Sequence, residues 1–131
     1  MTPGNEIINS KELNEIKKIF TKSNGVLFAH GFDKRRRKIF RVREFEKKIS
    51  KRFGSKYVQC VSSGTAAIKI ALKSLGVKPG DEVITQSFNF IATIEAIIDC
   101  GAKPIITGIN NDLNMPVEEL SKLITKKTKA I

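Results

Sequence analysis

From residue 57 onward the sequence predicts an α/β fold, a three-layer, mostly parallel sheet with helices on both faces, preceded by two N-terminal helices. Three observations predict it. Apolar runs of strand length alternate with segments of helical periodicity over residues 57–131. Gly64, Gly76, Pro79-Gly80 and Gly101 punctuate the joints between them. Residues 1–56 lack that alternation and carry two amphipathic helical patterns instead. Strands that alternate with helices imply βαβ units, right-handed crossovers and a largely parallel sheet.

Taken in order, Asn9-Ser10 offers a cap to a helix whose Leu13, Ile16, Ile19 and Phe20 share one face, and Asn24-Gly25 ends it. An apolar stretch over 26–31 and the basic run Lys34-Arg35-Arg36-Arg37-Lys38 follow. Val42, Phe45, Ile49 and Phe53 mark a second helix that stops near Gly54. Residues 57–62 read as a buried strand. The turn Ser63-Gly64-Thr65 then enters a helix carrying Ala67, Ile68, Ala71, Leu72 and Leu75. A strand over 82–85 precedes a helix face of Phe90, Ile94, Ile97 and Ile98. A strand over 104–107 precedes a helix over 116–124. Residues 128–131 read as the entry to one more strand, so the expectation is an interrupted fold: a helical, basic segment over 1–56 and an incomplete α/β domain over 57–131.

The chain holds 24 Lys and Arg against 13 Asp and Glu, a net charge of +11. Residues 1–57 hold 16 basic and 6 acidic side chains, while residues 58–131 hold 8 and 7, so the charge belongs to the N-terminal segment. Such a patch attracts phosphates, whether on nucleic acid, a nucleotide-sugar or a lipid surface. For the basic run, a solvated loop, an anion-binding or intersubunit loop and a nucleic-acid arm stay open. The last is disfavoured, because only Phe32 and Phe40 flank the run. Cys60 and Cys100 stand 40 residues apart in apolar runs and read as buried, unpaired thiols. The single His30 excludes a histidine-based metal cluster. No apolar run reaches the roughly 18 residues of a membrane span, and residues 1–6 lack a signal-peptide layout. By elimination the expected compartment is the cytoplasm, with no membrane partner.

Chemistry concentrates at two strand exits. Residues 61–67, Val61-Ser62-Ser63-Gly64-Thr65-Ala66-Ala67, sit where a strand turns into a helix. The first amides of a helix have no internal partner and the helix dipole makes that end positive, so small residues there admit a phosphate. A plain helix cap with small residues for close packing is the competing reading. Neither GxxxxGK[ST] nor GxGxxG is present. Residues 86–90, Gln86-Ser87-Phe88-Asn89-Phe90, follow a strand, where ligands gather in open α/β sheets. An aromatic there either stacks on a flat ring or packs into the core. Glu44 and Glu46 read as a solvated helix face.

Beyond these separate readings, a colinear series over about residues 40–131 resembles the DegT/DnrJ/EryC1/StrS family of pyridoxal-phosphate-dependent (PLP-dependent) sugar aminotransferases of fold-type I. It runs through Phe45-Glu46, Phe53-Gly54-Ser55-Lys56-Tyr57, Ser62-Ser63-Gly64-Thr65-Ala66-Ala67, Pro79-Gly80-Asp81-Glu82-Val83-Ile84-Thr85, Phe90-Ile91-Ala92-Thr93, Gly101-Ala102-Lys103-Pro104, Leu113-Asn114-Met115 and Lys127-Thr128-Lys129-Ala130-Ile131. The order and spacing of the motifs, more than any one of them, make the resemblance specific.

The resemblance implies that residues 57–131 are part of the PLP-transferase large domain. It implies that Gly64, Thr65 and Ala66 hold the cofactor phosphate and that Phe90 lies over the pyridine ring. It further implies amino transfer, usually from glutamate, to a keto group of a nucleotide-linked sugar, in a homodimer. The family's Schiff-base lysine and the carboxylate paired with the pyridinium nitrogen are expected beyond residue 131, so no catalytic residue is assigned and this chain alone is expected to be inactive. A dehydratase of the same family is the near alternative, and a basic nucleic-acid-binding module the distant one. Relatives commonly carry an acidic residue late in the third strand, where this chain reads Ile106-Thr107-Gly108-Ile109.

Overall fold

The computed structural model describes residues 7–23, 34 and 39–131. The predicted segment 26–31, with His30, and Arg35, Arg36, Arg37 and Lys38 of the basic run lie outside the described residues. Two compact units divide the chain, Met1–Gln59 and Cys60–Ile131.

The first unit contains α1 (Ser10–Lys22) and α2 (Arg41–Phe53). Asn9 starts α1 through a reciprocal cap. Its Oδ1 accepts the Lys11 amide at 2.9 Å, and its own amide donates to Glu12 Oε2 at 2.8 Å. Two otherwise orphaned donors are thereby satisfied. α2 ends at Gly54, whose φ of 67° lies in the left-handed region that closes helices and that glycine enters without a Cβ penalty. Arg41 pairs with Glu15 of α1 at 2.5 Å and with Glu44 at 2.8 Å. These pairs are partly exposed and contribute little to stability. Leu13, Ile16 and Phe20 on α1 and Val42, Phe45 and Phe53 on α2 all stay exposed. The apolar spacing sets the helices but leaves their stripes in solvent.

The second unit contains α3 (Gly64–Ser74), β1 (Glu82–Gln86), α4 (Ala92–Asp99), β2 (Lys103–Thr107), α5 (Val117–Leu123) and β3 (Thr128–Ala130). The strand order is β2-β1-β3, and both pairings are parallel. β1 and β2 run in register from Glu82 opposite Lys103 to Gln86 opposite Thr107. The chain passes from β1 through α4 to one edge, then from β2 through α5 back across to the other. Two right-handed crossovers in opposite directions put α4 and α5 on opposite faces. Burial agrees, since the consecutive residues Val83, Ile84 and Thr85 of β1 are all buried, which requires cover on both sides. Val83 joins Leu72 of α3, Ile97 of α4 and Cys100, which caps α4, in one core cluster. Ile84, at 1 % exposure, points the other way. Burying an isoleucine of this kind stabilises by about 1.5–3 kcal/mol.

Side-chain contacts fix α3 beside α4. Lys69 Nζ lies 2.8 Å from Asp99 Oδ2, and Lys73 Nζ donates to the Cys100 carbonyl at 3.1 Å. The Lys69 ammonium is held above its ordinary pKa by its hydrogen bond to Asp99 and by that carboxylate's charge. Neither cysteine forms a disulfide. Cys100 is buried as expected, and Cys60 only half-buried.

One predicted strand does not form. Residues 57–61 join no ladder, and Tyr57 is 81 % exposed. A strand needs neighbours for its amides and carbonyls. Residues 57–62 have no such neighbour among the described residues. The predicted final strand, in contrast, pairs with β1 as β3, with a register irregularity between Glu82 and Val83.

Candidate functional site

The carboxyl ends of β1 and β2 define one end of the second unit. α4 leaves that end directly after β1. α3 feeds β1 through the turn at 75–81, so its own start points to the same end. Gly64, Thr65, Ala66 and Phe90 therefore share one end of the sheet.

At the start of α3, Ser63 is extended, with φ −159° and ψ 164°, and its side chain caps the helix. Its Oγ accepts the Ala66 amide at 3.1 Å, and its carbonyl accepts the Ala67 amide at 3.0 Å. The amides of Gly64 and Thr65 have no acceptor among the described residues. These two donors point out of an 11-residue helix whose dipole adds positive potential there. Gly64 does not serve tight packing, since a Cβ built on it meets nothing within 4 Å. The cap reading of this turn holds, and it does not use up the turn: Ser63 takes one amide and leaves two. The position is open, and the Thr65 hydroxyl stands next to the two free amides in the chain.

At the exit of β1 the core-packing reading of the aromatics is overturned. Phe90 is 78 % exposed and Phe88 is also exposed. The loop beneath them is tightly bonded. Asn89 Nδ2 donates to Thr85 Oγ1 at 3.0 Å and to the Gln86 carbonyl at 2.7 Å. Gln86 Nε2 donates to the Phe88 carbonyl at 2.8 Å, and the Ser87 amide to the Thr107 carbonyl at 2.9 Å. The sequence marks the segment 86–90 but gives Asn89 and Gln86 no role of their own. The available signal was an asparagine between a strand and a helix, where its carboxamide bonds nearby backbone.

At the end of β2, where an acidic residue is absent from the strand, α5 supplies one. Thr107 Oγ1 donates to Glu119 Oε2 at 3.1 Å. The pair lies in an open cavity of about 300 Å³ between β2 and α5. No group of three metal-ligating side chains occurs among the described residues. Among them no helix is long and apolar enough to cross a membrane.

Comparison with known proteins gives this architecture its kin. Residues 34–131 match the DegT/DnrJ/EryC1/StrS aminotransferase family. GDP-perosamine synthase of Vibrio cholerae is 36 % identical over 91 residues, covering 69 % of this chain and 25 % of that protein. The UDP-2-acetamido-2-deoxy-3-oxo-D-glucuronate aminotransferase of Pseudomonas aeruginosa is 41 % identical over 91 residues, with coverage of 69 % and 25 %. The PLP form of Streptococcus pneumoniae Spr1654, a protein carried under a sugar-aminotransferase name, superposes with a TM-score of 0.78 at 28 % identity. That superposition covers 92 % of this chain and 28 % of the other. The class so defined is an open, parallel α/β sheet of the kind these aminotransferases carry. Within it, the chain belongs to the DegT/DnrJ/EryC1/StrS aminotransferase family. It spans about a quarter of the length of the curated relatives it matches.

Proposed function

We propose that this chain supplies the phosphate seat and the ring-contacting aromatic of a PLP-dependent aminotransferase acting on a keto group of a nucleotide-linked sugar. The observation that carries the reading is the pair of unpartnered amides on Gly64 and Thr65 at the same end of the sheet as the exposed Phe90. The names of the relatives support the substrate class: one is a GDP-sugar synthase and another a UDP-sugar aminotransferase. The PLP form of the pneumococcal protein supports the cofactor.

In this reading Gly64 and Thr65 donate their amides to the cofactor phosphate. The Thr65 hydroxyl adds a third donor, and Ala66 keeps the wall small. Phe90 lies against the face of the pyridine ring, where an offset stack is favourable. Bound PLP supplies the electron sink for chemistry at the amino-bearing carbon. The amino donor is proposed to be glutamate, the working assembly a homodimer and the compartment the cytoplasm. Residues 1–56 form a basic helical segment, and 57–131 the first part of the cofactor domain.

The experiment is a comparison of PLP with pyridoxal, which lacks the phosphate, by titration of this chain. Binding of PLP at least about tenfold tighter than pyridoxal supports the reading, as charge-assisted bonds to two amides require. Equal affinities overturn it.

A further inference from the structure

We infer that Asn89 is a positioning residue for Phe90, whose carboxamide holds the ring at the open end of the sheet. The inference rests on the reading of Phe90 as the ring-contacting aromatic and deepens it. An exposed aromatic is not held in place by burial, so something else must fix its direction. The loop supplies it. The Asn89 carboxamide uses both of its hydrogens, one on Thr85 Oγ1 and one on the Gln86 carbonyl. Thr85 lies buried in the middle strand of the sheet, so the anchor itself is rigid. Gln86 closes the same turn from the other side through the Phe88 carbonyl. Past the turn, the Phe90 carbonyl accepts the Thr93 amide at 3.1 Å and opens α4. The backbone on both sides of Phe90 is therefore fixed, and only side-chain rotation remains to be ordered when a flat ligand stacks on it. Ordering the site in advance lowers the cost of binding.

The residue type is specific. Serine has one hydroxyl hydrogen and reaches one acceptor at most. Aspartate has no hydrogen for the Gln86 carbonyl and adds negative charge at an end meant for an anion. Only a short side chain with two donor hydrogens makes both bonds.

The test uses the 131-residue chain and two ligands, PLP and inorganic phosphate. Phosphate reports on anion binding without a ring, the basic N-terminal segment included, whereas PLP reports on anion and ring together, so a change confined to PLP is a change at the ring. For Asn89→Ala, the expected result is a loss of about tenfold in PLP affinity with phosphate affinity unchanged, and a smaller loss for Asn89→Ser. Since Asn89 acts through Phe90, Phe90→Ala and the double variant are expected to bind PLP equally well, a non-additivity that a merely structural residue does not produce. Equal loss of both ligands overturns the inference, as do unchanged PLP binding or additive effects in the double variant. A wild-type chain that binds PLP no better than phosphate overturns the role of Phe90 and this inference with it. The phosphate seat is judged separately, by PLP against pyridoxal.

Discussion

The hydroxyl of Ser63 accepts the Ala66 amide at 3.1 Å, so one of the first-turn donors of α3 is spent on the fold while Gly64 and Thr65 keep theirs. Stability and the proposed ligand binding at this turn are therefore expected to depend on different residues and to separate by mutation. Ser63→Ala is expected to lower stability by about 1 kcal/mol through loss of the cap. Ser63→Asp keeps the cap and the favourable interaction with the helix dipole, so it leaves stability intact. It places a carboxylate beside the proposed anion seat and is expected to weaken phosphate binding. Denaturant unfolding and a phosphate titration of both variants check the pair of outcomes.

Gly64→Ala inverts that pattern. A Cβ at Gly64 meets nothing in the chain and the backbone there is not left-handed. Alanine is a better helix former than glycine by about 1 kcal/mol in a helix interior, so stability is expected to hold or rise. The methyl group occupies the approach to the two open amides, and PLP affinity is expected to fall. A variant that loses stability along with affinity would return Gly64 to a packing role.

Gly101 shows the opposite kind of glycine. Its φ is 79°, and a Cβ built on it lies 2.7 Å from Pro79 Cγ. Gly101→Ala is expected to cost about 1–3 kcal/mol from backbone strain and displacement of the proline. Gly76, with φ 77°, has open space around it. Asparagine tolerates the left-handed region, so Gly76→Asn is expected to be much milder than Gly101→Asn. Thermal unfolding of the pair isolates the contact with Pro79 from the dihedral.

The pH dependence of α1 follows from its cap. The Asn9 amide donates to Glu12 and holds that carboxyl below the ordinary glutamate range. A carboxyl with a lowered pKa in the folded state contributes stability that is present above its unfolded value, about 4.3, and is lost as pH falls through the lowered folded value. Helix signal is therefore expected to decline below about pH 4.3, and Glu12→Gln to flatten that decline. A site-resolved titration of Glu12 by NMR gives its midpoint. A midpoint at or above the ordinary value contradicts the cap.

Much of this architecture was legible in the residues because local signals and tertiary needs agree. Asn9 caps α1 as its place before the apolar stripe predicts, Gly54 ends α2, and Pro79-Gly80 and Gly101 precede β1 and β2. The alternation from residue 82 onward became a parallel sheet with crossover helices. The strand over 57–62 does not form, because an apolar run does not name a partner for its amides and carbonyls. The helical faces were overread for a related reason. Leu75 and Ile98 carry the right spacing yet stay exposed, since periodicity names a face without naming what covers it.

At the site, the glycine-led helix start was readable from the position of small residues after an apolar run. Two things were not. One is the division of labour within residues 63–66, which depends on where the Ser63 side chain turns. The other is the turn of Asn89 onto Thr85, a contact four residues apart that no propensity encodes.

The most direct test of the phosphate seat is a titration of the ¹⁵N-labelled chain with PLP, followed at the backbone amides of residues 63–67. The predicted result is saturable downfield movement of the Gly64 and Thr65 protons, with Ala66, bonded to Ser63, moving least. PLP that binds while the Gly64 and Thr65 resonances stay in place contradicts the account.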